Sequence, residues 1–305
     1  MPPTRVAIAG ATGNLGIPLL KTLLDADHHV TVLSRTGSNA SSKLQRHPNL
    51  TIKEVDFTSA KSITPVLDGV EVVISCLATS AIGSQNPLID AAVLAGVKRF
   101  IPAEFGMDSL NPLCVQLPVC APKATTQAYL NAKVKENPEF SWTAIANGWF
   151  LDWCLKEKLI ADMEERQATL YNGGDVPFSV TLLADVAIGV LGVINHQAET
   201  ANRVVYIQST FVTQNKLIGI AKSIDGGKEW KTSVKSTEQV LEESYEALEK
   251  GDSGEALTAE LGFCLVGCLS SEYGCDFSAH LDNDLLGLKE MSEEELEEVV
   301  ASFLA

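Results

Sequence analysis

The sequence predicts an α/β fold in which a doubly wound parallel sheet precedes a smaller, mostly helical C-terminal lobe. Three observations support this prediction. Apolar runs without polar alternation recur between helical stretches through the first two hundred residues, as expected for parallel strands covered on both faces. A glycine-rich segment at residues 10–16 directly follows the first of these runs. After about residue 150, the alternation gives way to helical patterns.

Seven apolar runs mark the predicted strands. They cover residues 5–9, 29–34, 50–55, 70–76, 98–102, 142–146 and 203–208. Between the first two runs, leucines recur at helical spacing, and Pro18 falls in the first turn, where a missing N–H costs little. This alternation predicts one domain over residues 1–150, to which the strand near 203–208 returns, and a lobe over residues 151–305.

The lobe over residues 151–305 is predicted from its helical patterns. A turn at residues 172–175 is followed by predicted helices over residues 180–194, 237–250, 255–269 and 292–303. Ser292 is predicted to cap the last of these helices, and Glu295 to complete a capping box.

The composition is that of a globular chain. Its 305 residues are 46% hydrophobic, with a mean hydropathy of +0.11, which allows a substantial buried core. No apolar run approaches the roughly 20 residues that a transmembrane helix needs. The first predicted strand begins so early that we expect no signal peptide. Seven scattered cysteines are typical of a reducing cytoplasm, and Cys264, Cys268 and Cys275 are predicted to be buried thiols and not metal ligands.

The net charge of −16 arises entirely in the last quarter of the sequence. Residues 238–305 contain 18 acidic residues, two lysines and no arginine, whereas residues 1–237 carry 21 acidic and 21 basic side chains. An acidic surface repels a phosphate backbone, so we expect no nucleic-acid partner. A solvated surface explains the bias, and a docking site for a protein partner is the alternative.

The glycine-rich segment at residues 10–16 forms a GxxGxxG pattern between the first strand and the first helix. In such a turn the first glycine allows a sharp change of direction, the second a close approach of phosphate, and the third close packing of helix on strand. The free N–H groups at the helix start then face a pyrophosphate. The pattern predicts a Rossmann-type domain that binds a dinucleotide through Gly10, Thr12, Gly13, Asn14, Leu15 and Gly16.

The second strand ends at Ser34 and Arg35, where NAD-binding proteins usually carry an acidic residue. The guanidinium of Arg35 can instead bind a 2′-phosphate, and Lys43 can add a second positive charge. We therefore predict that the cofactor is NADP(H), with a surface arginine that binds no ligand as the alternative. Ala78 follows the fourth strand at the expected crevice, and Asp56 is predicted either as an adenine contact or as a helix N-cap.

Several ordered motifs resemble the isoflavone reductase-like branch of the NmrA-like atypical short-chain dehydrogenases. This branch includes phenylcoumaran benzylic ether reductases and pinoresinol–lariciresinol reductases. The resemblance rests on the glycine turn, Arg35, residues 99–106 (RFIPAEFG), Lys123 and residues 147–150 (NGWF). It covers about the first 150 residues and afterwards thins to residues 172–175, 185–187 and 285–288.

In that family, a lysine at the position matching Lys123 is the proposed general acid or base beside the nicotinamide, and the resemblance implies the same role here. Pro122 is predicted at the first position of a helix, so the helix dipole is expected to lower the pKa of Lys123. An ordinary exposed lysine is the alternative. Tyr129 and Lys133 form a YxxxK, the catalytic pair of ordinary short-chain dehydrogenases. We interpret it as coincidence, because Tyr129 lies late on its helix.

The resemblance also implies that the turn after the sixth strand borders the nicotinamide. Asn147 and Phe150 are predicted to contact the cofactor, and Phe105, Trp149 and Phe150 to line the substrate pocket. The alternative is that these aromatic residues simply belong to the hydrophobic core. Ala103 replaces a serine that is common in the family's segment. The lobe does not match the plant reductases closely, so their substrates are not carried over.

Three functions are compatible with these features. The first is a cytoplasmic NADPH-dependent reductase of a small aromatic or secondary-metabolite substrate, in which Lys123 exchanges the proton and residues 151–305 mainly bind the substrate. The second is a non-catalytic NADP(H) sensor that regulates a protein partner, and the third uses the cofactor without net redox change. The retained lysine favours the reductase over the sensor. We expect no membrane partner, and a homodimer is left open.

Overall fold

The computed structural model describes residues 2–251 and 253–304. Within these residues the strands are β1 (Arg5–Ala9), β2 (His29–Arg35), β3 (Leu50–Val55), β4 (Val72–Ser75), β5 (Arg99–Ile101), β6 (Ser141–Ala146), β7 (Trp149–Phe150), β8 (Gln167–Tyr171), β9 (Phe178–Thr181), β10 (Arg203–Tyr206), β11 (Thr210–Val212) and β12 (Lys231–Lys235). The α-helices are α1 (Gly16–Asp25), α2 (Ala40–Lys43), α3 (Ala60–Ile63), α4 (Asn86–Leu94), α5 (Ala121–Glu136), α6 (Leu151–Lys156), α7 (Leu183–Asn195), α8 (Gln214–Ile224), α9 (Thr237–Lys250), α10 (Ser253–Leu269), α11 (Asn283–Leu286) and α12 (Glu293–Ala301). None of these described helices is both long and apolar enough to span a membrane.

Seven of the strands form one parallel sheet in the order β10-β6-β5-β4-β1-β2-β3. Val6 of β1 pairs with Val30 of β2 on one side and with Val72 of β4 on the other. The chain therefore winds outward from β1 in both directions, which creates a crevice at the carboxyl ends of β1 and β4. This topology confirms the predicted α/β fold with a doubly wound parallel sheet.

Apolar cores cover both faces of the sheet, because neighbouring residues on a strand point to opposite sides. In β1, Ala7 and Ala9 belong to a core shared with α4 and α5, whereas Val6 and Ile8 belong to a core shared with α1 and α7. Helix α7 packs against α1, and β10 pairs with β6. The chain after residue 150 thus supplies the large domain with a helix as well as the strand that the sequence predicted.

The sequence patterns located most elements to within a few residues. The strands over 5–9 and 50–55 and the helix over 237–250 have the predicted bounds. Ser292 accepts a hydrogen bond from the N–H of Glu295, and the Glu295 carboxylate accepts one from the N–H of Ser292, so the predicted capping box is confirmed. Such caps satisfy N–H groups that the helix itself leaves free.

The prediction of a helix over residues 180–194 is wrong at its start. Val180 and Thr181 belong to β9, and α7 begins only at Leu183. Two further small sheets, β11-β9-β7 and β12-β8, were not predicted from the sequence. Strands β8 and β12 are short and contain no fully buried residue, so they lack the apolar pattern that reveals a core strand.

A buried guanidinium links β5 to β6 and to the chain after α7, near one edge of the sheet. Arg99, at the start of β5, is 1% exposed, and its Nε donates to Ser141 Oγ at 2.8 Å. Its Nη1 donates to the hydroxyls of Thr143 and Thr200, and its Nη2 donates to the carbonyl oxygen of Gln197. Burial lowers the pKa of Arg99 to about 10, which leaves the group charged at neutral pH. The charge is held by neutral acceptors that join β5, β6 and the chain after α7.

We expect Arg99→Met to lower the free energy of unfolding by about 3 kcal/mol, because the variant removes charge-assisted hydrogen bonds and leaves buried acceptors without a donor. Urea denaturation measures this loss. Lys98→Met is the matched control, since the neighbouring Lys98 is exposed, and it should change stability little. Equal stability of the two variants would contradict the structural role of Arg99.

Candidate dinucleotide and substrate cleft

A cleft of about 910 Å³ lies at the carboxyl ends of β1, β2 and β4, where the strand order reverses. It is bordered by the β1–α1 turn, the chain that follows β5, the chain around β7 and α6, and α10. The structure brings most of the predicted ligand-binding residues to this cleft: Gly10, Thr12, Gly13, Asn14, Leu15, Arg35, Lys43, Ala78, Phe105, Lys123, Trp149 and Phe150.

The glycine turn is shaped by main-chain contacts that a side chain would block. Gly10 has a φ of +85°, and a Cβ there would lie 2.3 Å from the carbonyl oxygen of Cys76. A Cβ on Gly16 would lie 2.2 Å from the carbonyl oxygen of Gly10. A Cβ on Gly13 would meet only that same oxygen, at 3.4 Å. The turn is therefore tightly packed at Gly10 and Gly16, whereas Gly13 leaves space on the side of the cleft.

Main-chain N–H groups of this turn are available to a ligand. In the described part of the chain, the N–H groups of Thr12, Asn14 and Leu15 have no hydrogen-bond acceptor. All three residues border the cleft, and α1 begins directly after them. Free N–H groups at the positive end of a helix dipole favour a phosphate group. The turn therefore fits the pyrophosphate of a dinucleotide.

The part of the cleft beside β2 carries positive charge. Arg35 ends β2, Lys43 ends α2, and both side chains are exposed on the cleft. Among residues 2–251 and 253–304, the guanidinium of Arg35 has no hydrogen-bond or ion-pair partner, so its donors are available. The acidic residues on the cleft wall, Glu104 and Glu260, belong instead to the chain after β5 and to α10. This distribution of charge fits a ribose 2′-phosphate beside Arg35.

The chain after β5 is fastened to the end of β6 by main-chain hydrogen bonds. The N–H groups of Asn147 and Gly148 both donate to the carbonyl oxygen of Gly106, each at 3.0 Å. Gly148 has a φ of +63°, and a Cβ there would lie 2.0 Å from the carbonyl oxygen of Ser179. Phe105 has a φ of +24°, which side chains rarely adopt. Such strain persists where the surroundings fix the backbone, and here it presents Phe105 to the cleft.

Lys123 lies in the first turn of α5, as predicted, and is a buried residue of the cleft wall with only 6% exposed. Its Nζ donates to the main-chain carbonyl oxygen of Glu104. Burial lowers the pKa of Lys123, but attraction to Cys120 and Glu104 raises it by more, so the pKa lies above the ordinary 10.5. The predicted lowering of this pKa is wrong, because the attraction of neighbouring groups outweighs the effect of burial. Lys123 is therefore an ammonium group at neutral pH.

The carboxyl group of Glu104 is buried close to this ammonium. Burial raises the pKa of Glu104, while Lys123 and hydrogen bonds from Gln127 and Ser109 oppose the rise. Gln127 Nε2 donates to Glu104 Oε1 at 3.1 Å and to Ser109 Oγ at 2.7 Å. The polar network thus fixes the Glu104 carboxyl group inside the protein, where its electrostatic interaction with Lys123 is strong.

Other candidates from the sequence analysis lie off the cleft wall. Gly16 packs inside the turn, and Asn147 is fully buried behind the wall, with its N–H engaged by the Gly106 carbonyl. Asp56 is exposed and accepts hydrogen bonds from the N–H and hydroxyl of Thr58. It is also not the N-cap of α3, a position that Ser59 occupies. Asp56 therefore stabilises a local turn.

Tyr129 and Lys133, the YxxxK pair, lie against α4 and not on the cleft wall. The Tyr129 hydroxyl donates to Asp90 Oδ1 at 2.7 Å, and Lys133 Nζ lies 2.7 Å from the same oxygen. Both side chains therefore have a structural partner, in agreement with the interpretation of this motif as coincidence.

The side of the cleft that α10 forms was not predicted from the sequence. Helix α10 was predicted, but nothing local indicated which of its faces borders the ligand site. Hydrophobic residues from other elements complete the wall, and they resemble ordinary core positions in the sequence: Ile82, Leu88, Met107, Val119, Trp153 and Leu159.

The three clustered cysteines differ in exposure. Cys268 and Cys275 are buried as predicted, whereas Cys264 is only half-buried and borders the cleft.

The fold and this cleft together define an α/β protein built to hold a dinucleotide at the switch point of a parallel sheet. A model of the NmrA-like family matches residues 2–249, and the chain belongs to that family. The chain is similar to the oxidoreductase aprR of Aspergillus flavus, with 31% identity over 306 residues that cover 98% of each protein. The resemblance stated from the motifs is thus confirmed.

Solved structures share the fold over nearly the whole chain. An isoflavone reductase superposes with a TM-score of 0.77 at 19% identity, covering 99% of both chains. An NADPH-dependent quinone oxidoreductase from Escherichia coli, in complex with NADPH, superposes with a TM-score of 0.73 at 20% identity, covering 97% of this chain and 99% of that one. At these identities the likeness establishes a common fold, including the lobe after residue 150.

We expect Arg35→Ala to weaken NADPH binding about tenfold or more and to leave NADH binding nearly unchanged. The variant removes charge-assisted hydrogen bonds that only a 2′-phosphate can accept. Calorimetric titration with both nucleotides measures the effect. Arg46→Ala makes the same change of charge at an exposed residue off the cleft and serves as the control. Equal loss of affinity for NADPH and NADH would contradict the 2′-phosphate assignment.

Proposed function

We propose that this protein is an NADPH-dependent oxidoreductase that reduces a small, ring-bearing molecule in the cleft. The observation that carries the proposal is the position of Lys123. A buried ammonium group borders the same cleft as the N–H groups of the glycine turn and the guanidinium of Arg35, none of which has a partner among the described residues. A dinucleotide site and a proton donor therefore share one enclosed space.

The cofactor site is formed by two sets of residues. The turn that contains Thr12, Asn14 and Leu15 would hold the pyrophosphate, and Arg35 with Lys43 would hold the 2′-phosphate. NADPH, when bound, supplies the hydride. The identity of the relatives supports this assignment, since aprR is described as an oxidoreductase and the quinone oxidoreductase structure contains NADPH.

Lys123 is the proton donor in this proposal. Its raised pKa keeps Nζ protonated, so it can give a proton to the substrate heteroatom as the adjacent carbon receives the hydride. The Glu104 carbonyl accepts one of the three Nζ hydrogen bonds, which orients the ammonium and leaves donors for the substrate. Phe105, Trp149 and Phe150 border the same cleft, so a bound ring compound that packs against them would reduce the access of water to Lys123.

The substrate is proposed to be aromatic because aromatic and aliphatic side chains dominate the wall around Lys123. Trp153, Phe150 and Phe105 are half-buried on the cleft and would gain burial against a planar ring. A carbonyl, imine or quinone-methide carbon in such a ring system accepts hydride. The two structural neighbours, an isoflavone reductase and a quinone oxidoreductase, are named for ring compounds, which supports the same class of molecule.

We expect Lys123→Met to retain NADPH affinity, because the variant keeps the bulk of the side chain. Its turnover should fall about 100-fold or more, because the variant removes the proton-donating ammonium group. NADPH consumption with menadione and with 4-nitrobenzaldehyde measures turnover. Lys133→Met, which removes a lysine of the same helix off the cleft, is the matched control. Lys123→Arg keeps the charge beside Glu104. Thermal unfolding of both Lys123 variants shows whether a loss of activity reflects loss of the fold.

Two outcomes would contradict this assignment. Full turnover in folded Lys123→Met would remove the proton-donor role, and loss of turnover in Lys133→Met would favour the YxxxK. Tight NADPH binding by the wild-type protein, with no consumption by quinone, aldehyde or imine probes, would instead support the non-catalytic sensor. Recovery of unchanged NADPH after conversion of a substrate would support redox-neutral use of the cofactor.

The pH dependence of turnover gives an independent test. The acid role requires protonated Lys123, so turnover should fall as the pH rises through its pKa, which lies above 10.5. We therefore expect a plateau through neutral and mildly alkaline pH, with the decrease only at strongly alkaline pH. A decrease centred near neutrality would show that the helix start dominates the pKa of Lys123 and would contradict the contacts described above.

A further inference from the structure

Helix α10 has one face packed on the lobe and another face on the cleft. On the packed face, the rings of Phe263 and Tyr245 have centroids 5.0 Å apart, and a Cβ on Gly262 would lie 2.0 Å from Ser244 Oγ of α9. The cleft face consists of residues at positions i, i+3, i+4, i+7 and i+8, which form one stripe of a helix: Leu257, Glu260, Leu261, Cys264 and Leu265.

The cleft face of α10 is incompletely covered, although it is mostly apolar. Leu257 is 58% exposed, and the other members of the stripe are half-buried, whereas residues of the packed face such as Phe263 are fully buried. An apolar stripe that borders a cleft gains stability when a ligand covers it. The stripe therefore points to an apolar body in the ligand.

One carboxylate interrupts this stripe. Within residues 2–251 and 253–304, the side-chain carboxylate of Glu260 has no hydrogen-bond or ion-pair partner. The other acidic residue of the described cleft wall, Glu104, already accepts a hydrogen bond from Gln127. A free carboxylate on an otherwise apolar wall can bind an N–H or O–H donor of a ligand.

Glu260 and Lys123 border the same cleft from different parts of the chain. Lys123 lies in the first turn of α5, whereas Glu260 lies on the cleft face of α10, one helical turn, or a rise of about 6 Å, before Cys264. A ring compound that is bound beside Lys123 can therefore also meet the cleft face of α10.

We infer that α10 selects the substrate, and that Glu260 binds an N–H or O–H donor on the far side of the ring whose carbon is reduced beside Lys123. This inference rests on the proposed reductase function and narrows its substrate to apolar ring compounds that carry a hydrogen-bond donor. Two chemical sources have this donor, a phenolic hydroxyl and a protonated amine. A molecule with an ether in place of the donor should be rejected, because it leaves the carboxylate desolvated and unpaired.

Binding of three biphenyl probes to the NADP⁺-bound protein tests the inference without turnover. The probes are 4-phenylphenol, 4-phenylbenzylamine and 4-methoxybiphenyl, which differ only in the group at the end of the ring system. Quenching of the fluorescence of Trp149 and Trp153, which border the cleft, reports binding. We expect the phenol or the amine to bind about tenfold more tightly than the ether. A preference for the amine identifies a cationic substrate, and a preference for the phenol a neutral one.

Two variants with the same change of charge separate a specific contact from the general acidity of the lobe. Glu260→Gln should reduce the preference over the ether to about twofold or less. Glu246→Gln, at an exposed position of α9 away from the cleft, should keep the wild-type preference.

The inference is overturned if wild-type protein binds the ether as tightly as the other probes, if Glu260→Gln keeps the preference, or if none of the probes binds. NADP⁺ affinity is measured first for each protein. Failure to bind NADP⁺ defeats the proposed function itself, whereas normal NADP⁺ binding without probe preference defeats only the assignment of Glu260.

Discussion

The site depends on a main-chain turn that has no room for side chains. Gly16 touches the carbonyl of Gly10, and Gly10 touches the carbonyl of Cys76, so β1, β4 and α1 converge within contact distance. Among the described residues, the N–H groups of Thr12, Asn14 and Leu15, which border the cleft between these contacts, have no acceptor. Any larger residue at either contact would separate the helix from the sheet and move the anion site with it.

A second constraint fixes the inner end of the cleft. The carbonyl of Gly106 accepts two main-chain hydrogen bonds from the end of β6, and the carbonyl of Glu104 accepts one from Lys123. The same short segment thus joins two strands, orients an ammonium group and presents Phe105 to the cleft. Positioning by main-chain atoms is rigid, because a backbone carbonyl cannot change rotamer. The strained φ of Phe105 is the conformational cost of serving these roles within three residues.

The sequence located what depends on local pattern and missed what depends on distant contacts. Strand β3 and helix α9 have the predicted bounds, since apolar runs and helical periodicity are local properties. Strands β8 and β12 pair with each other across more than 60 residues and lack a buried face, so no local pattern marks them. The prediction of a lowered pKa for Lys123 failed for the same reason. The position of Lys123 at a helix start was visible, whereas the attraction of Cys120 and Glu104, which raises the pKa, arises only in the fold.

Different walls of the cleft come from distant parts of the chain. The anion-binding turn and Lys123 come from the first 150 residues and are held by the central sheet, whereas the cleft face of α10 comes from the lobe. Helix α10 is anchored mainly through its opposite face, on α9, so its cleft residues can change without disturbing the packed one. In the proposed function, substitution at Glu260 would then alter which ring compound is held, while Lys123 and the glycine turn keep their positions. Such a separation explains how one family fold can serve different substrates, because selection and chemistry rest on different structural supports.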